Sequence, residues 1–273
     1  MYDFSKIDRL KQKLNDYRPL TQEQVAQIER EKKIEHVWSS NALEGNSLTK
    51  YETASILEVG LTANGSPVKD VLETLDLGKA YNFMEELATG NQELSEEVIQ
   101  KINQLVTIKS VDNIDFAGVY RLVNAYPYRV EGVKYAEPIY IRQEMGNLIY
   151  WHDEIAKSLH PVEYAALLHL KFVSIHPFAD GNGRTARLLM AFALVRNGFP
   201  IVNIQPEANS RSEYMEALAN SQRQDNPEPF VNLVIKYVEK ELESRISILE
   251  LNESNLNHFG KAIEHDLDDE LEL

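Results

Sequence analysis

The residue types best suited to chemistry lie in one stretch, residues 176–187, which reads HPFADGNGRTAR. A Gly-Asn-Gly turn at residues 181–183 leads there into a predicted helix, so free backbone N–H groups meet the positive end of the helix dipole. Such an arrangement binds phosphate groups. Arg184 and Arg187 share one face of the first helical turn, where a cation opposes the dipole unless an anion is bound. The stretch therefore predicts a polyphosphate site.

Two further side chains of this stretch complete a reaction centre. Asp180 directly precedes the turn, and a carboxylate beside phosphates commonly holds Mg²⁺, which also takes phosphate oxygens and waters. His176 stands where the preceding helix must end, because Pro177 follows it. A neutral imidazole at that point could accept a proton from an attacking hydroxyl. A base, a metal ligand, a phosphate site and two cations together predict nucleotidyl or phosphoryl transfer.

The same stretch also has a purely structural interpretation. It would then be a His-Pro turn between two helices, with Asp180 as a solvated cap and the two arginines as surface charges. That interpretation is the more common one for any single residue of this kind. It explains the whole stretch poorly, because a Gly-Asn-Gly turn flanked by acid and arginine is unfavourable helix-loop design without a ligand. The ligand site is therefore the favoured interpretation.

The stretch resembles the signature of the Fic family, His-Pro-Phe-x-(Asp/Glu)-Gly-Asn-Gly-Arg-x-x-Arg, at every fixed position. LLHLKFVSIHPF before it and SEYMEAL after it extend the resemblance, which covers roughly residues 40–250. The resemblance implies a protein adenylyltransferase that moves AMP from ATP, with Mg²⁺, to a Ser, Thr or Tyr hydroxyl of a target protein. It also implies an all-α fold, a helical bundle with one short β-hairpin flap.

The resemblance assigns a role to single residues of the stretch. His176 would be the general base, Asp180 would hold Mg²⁺, and Arg187 would bind the γ-phosphate. The remaining phosphate contacts would come from Gly181, Asn182, Gly183 and Arg184. Phe178 would point into the core and anchor the loop.

Two further assignments of the resemblance lie outside the stretch. Tyr214, in SEYMEAL, would lie beside the base or the ribose of the nucleotide. A flap at about residues 128–140 would dock a segment of the target protein by strand-like pairing. Both depend on the resemblance alone, except that residues 126–141 alternate as a hairpin does.

A second motif, SSNALEGN at residues 39–46, resembles the inhibitory motif of the same family through Ser40, Glu44 and Gly45. Ser40 and Glu44 are four residues apart and share one helix face, and the glycine lets the helix end. A glutamate there is unfavourable against the helix dipole unless a cation accompanies it. The resemblance implies that Glu44 pairs with Arg187 and withdraws it from ATP. The structural alternative is an ordinary helix end with a solvated glutamate.

Helices must position most of these residues. Glycine and proline together number 22, fewer than the roughly 33 that average usage gives, so the elements should be few and long. Alternation around Glu131-Gly132 predicts the one hairpin. Helical periodicity and caps predict helices at residues 3–16, 21–45, 49–58, 67–88, 95–107, 143–159, 161–175, 183–197, 210–222 and 228–251.

This organisation predicts three parts of the chain. Residues 1–66 would be an N-terminal helical region with the inhibitory helix at about 36–45. Residues 67–251 would form the Fic core and the C-terminal helices. Residues 252–273 are strongly acidic at their end and are expected to be a frayed tail.

Composition excludes several classes of partner and site. A net charge of −15 disfavours nucleic acid, and no apolar run reaches the roughly 18 residues of a membrane span. The absence of cysteine excludes disulfides and thiolate metal sites. We therefore expect a cytoplasmic enzyme whose partners are ATP and a target protein. The apolar stripe of residues 228–251 could be core or could form a homodimer.

Four alternatives to AMP addition remain at this point. Members of the family that the sequence resembles also transfer other phosphate-containing groups, so the donor could differ from ATP. The reverse reaction would remove AMP by hydrolysis, with Glu44 orienting a water. A nucleotide-sensing module would use the phosphate site without needing His176 as a base. A metal-dependent phosphohydrolase is disfavoured, because Pro177 breaks the helix that would align His176 with Asp180.

Overall fold

The structure is a computed structural model that describes residues 2–17, 21–62, 65–111, 113–127 and 130–271. Within these residues it has ten α-helices and an isolated bridge between Tyr120 and Phe178, so the predicted all-α fold is confirmed. The helices are α1 (Ser5–Asp16), α2 (Gln22–Leu43), α3 (Lys50–Glu58), α4 (Val68–Thr89), α5 (Glu96–Thr107), α6 (Ile141–Glu154), α7 (Pro161–Ile175), α8 (Asn182–Arg196), α9 (Ala208–Gln224) and α10 (Glu228–Leu271). None of these described helices is both long and apolar enough to cross a bilayer.

Side-chain caps start several helices where the sequence predicts. Thr21 and Thr49 each accept a hydrogen bond from the third residue of the helix that follows, whose side chain bonds back to the threonine. Ser95 caps α5 by accepting the Val98 N–H. Each cap satisfies backbone groups that a helix start leaves unpaired. The local sequence therefore fixes these boundaries without help from the core.

Helix α8, which begins at the chemical stretch, lies at the centre of the bundle. Every residue of it from Arg184 to Leu194 is buried, as expected of a helix surrounded by other elements. It packs against α7, α4 and α5 and touches α2. The N-terminus of α8 is consequently held by the core, while the loop before it reaches the surface.

Helix α10 differs from the prediction in length. It continues to Leu271 rather than ending at residue 251, so it runs into the acidic segment that we expected to be frayed; residues 272–273 lie outside the described residues. No proline interrupts this segment, and acidic residues are compatible with a helix interior. The apolar stripe of residues 228–251 packs on α1, α7 and α9, so most of it belongs to the core, and the homodimer stays a prediction.

The predicted hairpin flap is not confirmed. Residues 130–137 contain a turn at Glu131-Gly132 but no strand pairing, and residues 138–140 form a 3₁₀ turn; residues 128–129 of the predicted flap lie outside the described residues. Arginine side chains take carbonyls that a partner strand would need. Arg223 donates to the Glu131 carbonyl and Arg121 to the Ala136 carbonyl. Tertiary hydrogen bonds thus replace a ladder.

Candidate active site

His176 occupies a strained backbone position directly after α7. Its φ of 53° and ψ of 57° are left-handed, and its N–H donates to the Phe172 carbonyl at 3.0 Å. Non-glycine residues rarely adopt this conformation, and they keep it only where the surroundings enforce it, commonly at functional sites. The turn directs the chain out of α7 and into the loop that carries the chemical stretch.

The loop after His176 is clamped by Phe178 and Asn182. Phe178 is 1% exposed and packs near Phe172 and Tyr120, as the anchoring role requires. The Asn182 side chain accepts the Phe178 N–H at 3.0 Å and donates to the Phe178 carbonyl at 2.8 Å. This side chain is therefore committed to holding the loop, and only the backbone N–H of Asn182 remains for a phosphate.

The turn into α8 requires glycine at position 181. Its φ is 74°, and an added Cβ would lie 2.7 Å from the Thr107 side chain. No side chain caps α8, so the first N–H groups of the helix are available to an anion. Asn103, which the sequence did not single out, supports the turn by donating to the Asp180 carbonyl at 3.0 Å and accepting the Gly118 N–H.

Arg184 is buried, contrary to the expectation for a surface charge. It is 2% exposed and its Nη2 donates to Asp180 at 3.2 Å, while its Nη1 lies 3.6 Å from Glu73. Its Nε and Nη1 are buried and have no hydrogen-bond partner among the described residues. Buried donors are normally satisfied, so these two atoms are suited to donate to a phosphate group. The Asp180 carboxylate itself is 51% exposed.

Arg187 forms hydrogen bonds with residues at the C-terminal end of α2. Its Nη2 donates to Glu44 at 2.7 Å and to the Ser40 carbonyl at 2.9 Å, and its Nε donates to the Ser40 hydroxyl at 2.7 Å. The guanidinium is 3% exposed. The two residues of the second motif thus meet the last arginine of the first, 143 positions away from Glu44. The Nε and Nη2 donors of Arg187 are therefore bound to groups of the protein itself.

Glu44 also lies over the phosphate turn. A Cβ added to Gly183 would overlap the Glu44 carboxylate and come 3.1 Å from Arg187 Nη1. The carboxylate therefore lies close to the backbone of α8 at Gly183. A phosphate bound to the first N–H groups of α8 would compete with this carboxylate for space and for the same positive field.

Tyr214 lies deeper than expected. The resemblance placed it beside the base or the ribose, but it is 1% exposed and its hydroxyl contacts His169 at 3.0 Å and Arg187 at 3.5 Å. Burial raises its pKa, while the charge of Arg187 opposes that rise. In this position Tyr214 supports Arg187 from inside the core and has no open surface for a nucleotide.

Sequence reasoning missed Arg121 and Tyr135. Arg121 is 4% exposed and donates to the carbonyls of His176, Val123 and Ala136. The ring of Tyr135 stacks on that of His176, with centroids 3.9 Å apart and planes 11° apart. Both residues come from the irregular segment between α5 and α6. The alternation of residues 126–141 in that segment indicated a hairpin and gave no sign of these partners.

The environment keeps His176 unprotonated. Burial, followed by the charge of Arg121, lowers its pKa to about 4, although the carboxylates of Glu44 and Asp180 act in the opposite direction. At neutral pH the imidazole is therefore free to accept a proton. This is the protonation state that a general base needs before reaction.

The described residues fit Mg²⁺ only as an ion carried by a nucleotide. They contain no group of three or more His, Cys, Asp or Glu side chains that could hold a metal by themselves. Asp180 offers a single half-exposed carboxylate beside the uncapped end of α8. Mg²⁺ is commonly held by one or two carboxylates plus substrate phosphates and waters, so this donor set suits it.

Comparison with known proteins agrees with this geometry. Residues 93–194 match the model of the Fic/DOC family. The chain is 32% identical over 230 residues to protein adenylyltransferase fic-1 of Caenorhabditis elegans, covering 83% of this chain and 44% of the relative. It is 34% identical over 211 residues to protein adenylyltransferase Fic of Drosophila grimshawi, covering 77% and 42%. The chain thus spans less than half of the length of these curated relatives.

Solved structures match over a larger share of their own length. A Fic-domain-containing signaling protein from Bacteroides thetaiotaomicron superposes with a TM-score of 0.80 at 30% identity, covering 90% of this chain and 98% of that one. Fic-1 of C. elegans, residues 134–508, superposes with a TM-score of 0.79 at 27% identity, covering 90% and 72%. With the fold, the motif and near-complete coverage of a relative in agreement, this chain belongs to the Fic/DOC family.

Proposed function

We propose that this chain is a protein adenylyltransferase that moves AMP from ATP to a Ser, Thr or Tyr hydroxyl of a target protein and that Glu44 restrains it. The observation that carries the proposal is the uncapped N-terminus of α8 between the unprotonated imidazole of His176 and two buried arginines, Arg184 and Arg187. The names of the curated relatives support the same activity.

The proposed reaction needs positioning more than covalent chemistry from the protein. The first N–H groups of α8, at Asn182 and Gly183, and the Arg184 guanidinium would hold the phosphates, while the Gly181 N–H donates to Asp180 at 2.6 Å. The target hydroxyl attacks the α-phosphorus, the bond from that atom to the bridging oxygen breaks, and pyrophosphate leaves. His176 accepts the hydroxyl proton. Asp180 would hold Mg²⁺, which neutralises negative charge on the phosphates.

The proposed restraint is a competition for Arg187. A γ-phosphate needs the guanidinium that Glu44 and Ser40 now occupy, and the Glu44 carboxylate lies over Gly183 where phosphate oxygens would approach. ATP bound beside this pair would lose a contact that sets the direction of its phosphate chain. The α-phosphate would then be out of line with the attacking hydroxyl, and the rate would fall.

The division of labour follows the regions defined from the sequence. Residues 1–66 would regulate, because they carry α2 with Ser40 and Glu44. Residues 67–251 would catalyse, because they carry the loop and α8. The target would lie along the flap segment at residues 130–140, where backbone groups not bound by Arg121 or Arg223 could pair with an extended peptide. The absence of cysteine fits a reducing, cytoplasmic compartment.

Removal of AMP is the second candidate. The observation that favours it is the Glu44 side chain, which remains 38% exposed while one of its oxygens binds Arg187. A carboxylate so placed could orient a water toward the phosphorus of AMP already attached to a target. Replacing Glu44 would then abolish removal, whereas under the first candidate it accelerates addition.

The test follows two labels on ATP. Glu44→Gly protein is incubated with Mg²⁺ and ATP labelled at either the α- or the γ-phosphate, and protein and small products are separated. We expect label from the α-phosphate on the protein and label from the γ-phosphate in pyrophosphate. Release of inorganic phosphate without protein labelling would indicate a phosphohydrolase. ATP binding with neither product would indicate a nucleotide sensor, and both outcomes overturn the proposal.

A further inference from the structure

Arg121 links the candidate base to the flap segment. Its guanidinium donates from Nε to the His176 carbonyl at 2.8 Å, from Nη1 to the Val123 carbonyl at 2.8 Å, and from Nη2 to the Ala136 carbonyl. Its own N–H donates to the Pro177 carbonyl at 2.9 Å. The segment around Arg121 is thus tied both to the residue that carries the imidazole and to residues 130–137.

The charge of Arg121 has no counterion within the described part of the chain. It is 4% exposed, and no carboxylate of the described residues forms an ion pair with it. Three carbonyls satisfy its donors but leave its net charge in place, and burying an unpaired charge is costly. A neutral side chain could fill the same space at less cost. The charge therefore needs a reason beyond packing.

We propose that Arg121 is a positioning residue for the general base, which holds His176 in its left-handed conformation and couples it to the flap segment through the Ala136 carbonyl. This inference rests on the proposed transfer activity. Arg121 touches neither the nucleotide nor the target hydroxyl and acts through His176.

Tyr135 carries the coupling to the imidazole ring. It immediately precedes Ala136, and it stacks on the face of the His176 ring. The bond from Arg121 to the Ala136 carbonyl therefore holds Tyr135 over that ring. A stacked neighbour covers the face of an imidazole and leaves free the edge, where the lone pair accepts a proton. A target peptide that binds the flap segment would then meet a base whose ring orientation is already fixed by Tyr135.

The charge of Arg121 also affects the protonation of His176. The groups that face His176 are Arg121, the carboxylates of Glu44 and Asp180, and the Tyr135 ring. Both carboxylates favour an imidazolium, as would the phosphates of a bound nucleotide. Arg121 is the cation that opposes them. It keeps the imidazole unprotonated as anionic substrate arrives, because an imidazolium cannot act as a base.

The test compares Arg121→Met, which removes the charge and the donors, with Arg121→Lys, which keeps the charge. Exposed Arg142→Met, at the start of α6, is the matched control. NMR titration of the His176 ring needs no turnover and is done in each variant. We expect Arg121→Met to raise the midpoint of the His176 titration by about 1 pH unit. We expect Arg121→Lys and the Arg142→Met control to leave that midpoint near the value of the parent protein.

Kinetics in the Glu44→Gly background give the second readout. We expect Arg121→Met to lower kcat for protein labelling at least 10-fold with little change in KM for ATP. We also expect the acidic limb of its pH–rate profile to move to higher pH. Arg121→Lys should recover part of kcat and all of the parent pH profile. Should the Met variant fail to fold, Arg121→Gln, which keeps donors without charge, makes the same comparison.

Two results would overturn the inference. One is an unchanged His176 midpoint together with parent-like kcat in the neutral variants. The other is a lysine variant that titrates like the methionine variant, which would exclude a role for the charge. The His176 midpoint could also shift while no variant transfers label to protein. That result would support the effect of Arg121 on His176 and would refute the proposed transferase activity.

Discussion

Arg187 and Glu44 form a 2.7 Å ion pair that joins the arginine ending the HPFADGNGRTAR stretch to the carboxyl end of α2. The arginine is 3% exposed, whereas the glutamate is 38% exposed. The pair is therefore buried on one side and open to solvent on the other. A phosphate approaching from solvent would meet the carboxylate before it could reach the guanidinium, so the end of α2 is placed to control access to Arg187.

Ser40→Ala should loosen this grip only partly. It removes the hydroxyl that accepts from Arg187 Nε at 2.7 Å but keeps the Ser40 carbonyl and Glu44 as partners. One hydrogen bond to a charged group contributes about 1.5 kcal/mol, so we expect protein labelling to rise by about 10-fold at most. Ser39→Ala, also buried on α2, is the control and should leave labelling unchanged. Equal labelling in the two variants would contradict a role for Ser40.

Asp180→Asn should remove activity without removing the fold. The carboxylate is half-exposed, and asparagine keeps an oxygen that can accept from Arg184 Nη2, so we expect the variant to remain folded. Labelling in the Glu44→Gly background should fall at least 100-fold, and its dependence on Mg²⁺ should weaken. Titrating Mg²⁺ in both proteins, with exposed Asp153→Asn as the control, checks this. Parent-like dependence on Mg²⁺ would show that Asp180 does not hold the ion.

Gly181→Ala should destabilise the protein, unlike a glycine substitution elsewhere. A Cβ at position 181 meets Thr107 at 2.7 Å and the backbone is left-handed, so we expect a loss of about 1–3 kcal/mol. Gly146→Ala in α6 is the control, because nothing lies within 4 Å and alanine favours helix by about 1 kcal/mol. Urea unfolding of both variants measures the difference. Equal effects of the two substitutions would mean that the turn is not as the structure has it.

Stability should fall when the pH drops below about 6.5. Burial lowers the pKa of His36 to about 4, of His169 to about 3 and of His176 to about 4. The unfolded chain takes up protons below 6.5 while the folded protein does not, so this stability is present above pH 6.5 and is lost progressively below it. Each histidine should cost about 2 kcal/mol at pH 5.

Urea unfolding at pH 7.5 and pH 5 measures this loss. His169→Gln should reduce the difference between the two pH values by about 2 kcal/mol, the contribution of one buried neutral histidine. Glu85, whose pKa burial raises to about 7, acts in the opposite direction over this range. A free energy of unfolding that is the same at both pH values would contradict the burial of these neutral histidines.

The parts of the fold that follow local rules could be predicted from the sequence. Thr21, Thr49 and Ser95 cap helices where their spacing indicates, and Pro177 ends α7. The family signature located His176, Asp180 and the glycine turn, because their chemistry depends on residues close together in sequence. Predictions failed where tertiary contacts decide, as in the flap segment, whose carbonyls bind Arg121 and Arg223 instead of a second strand.

The residues that support the site could not be predicted from local sequence rules or from the family signature. Arg121 contacts a residue 55 positions away, and Asn103 contacts one 77 positions away. Neither has a neighbour in sequence that indicates its partner. Tyr214 was found by resemblance, but nothing in SEYMEAL shows that its hydroxyl is buried between His169 and Arg187.

The most direct test of the account measures label transferred from ATP, marked at the α-phosphate, to the protein itself. Wild type, Glu44→Gly and Glu44→Gly/His176→Ala are compared with Mg²⁺ present and folding checked by circular dichroism. We predict that Glu44→Gly labels about 5–150-fold faster than wild type, the range of a 1–3 kcal/mol coupling, and that the double variant does not label. Equal labelling of wild type and Glu44→Gly, or label that survives the loss of His176, would contradict the account.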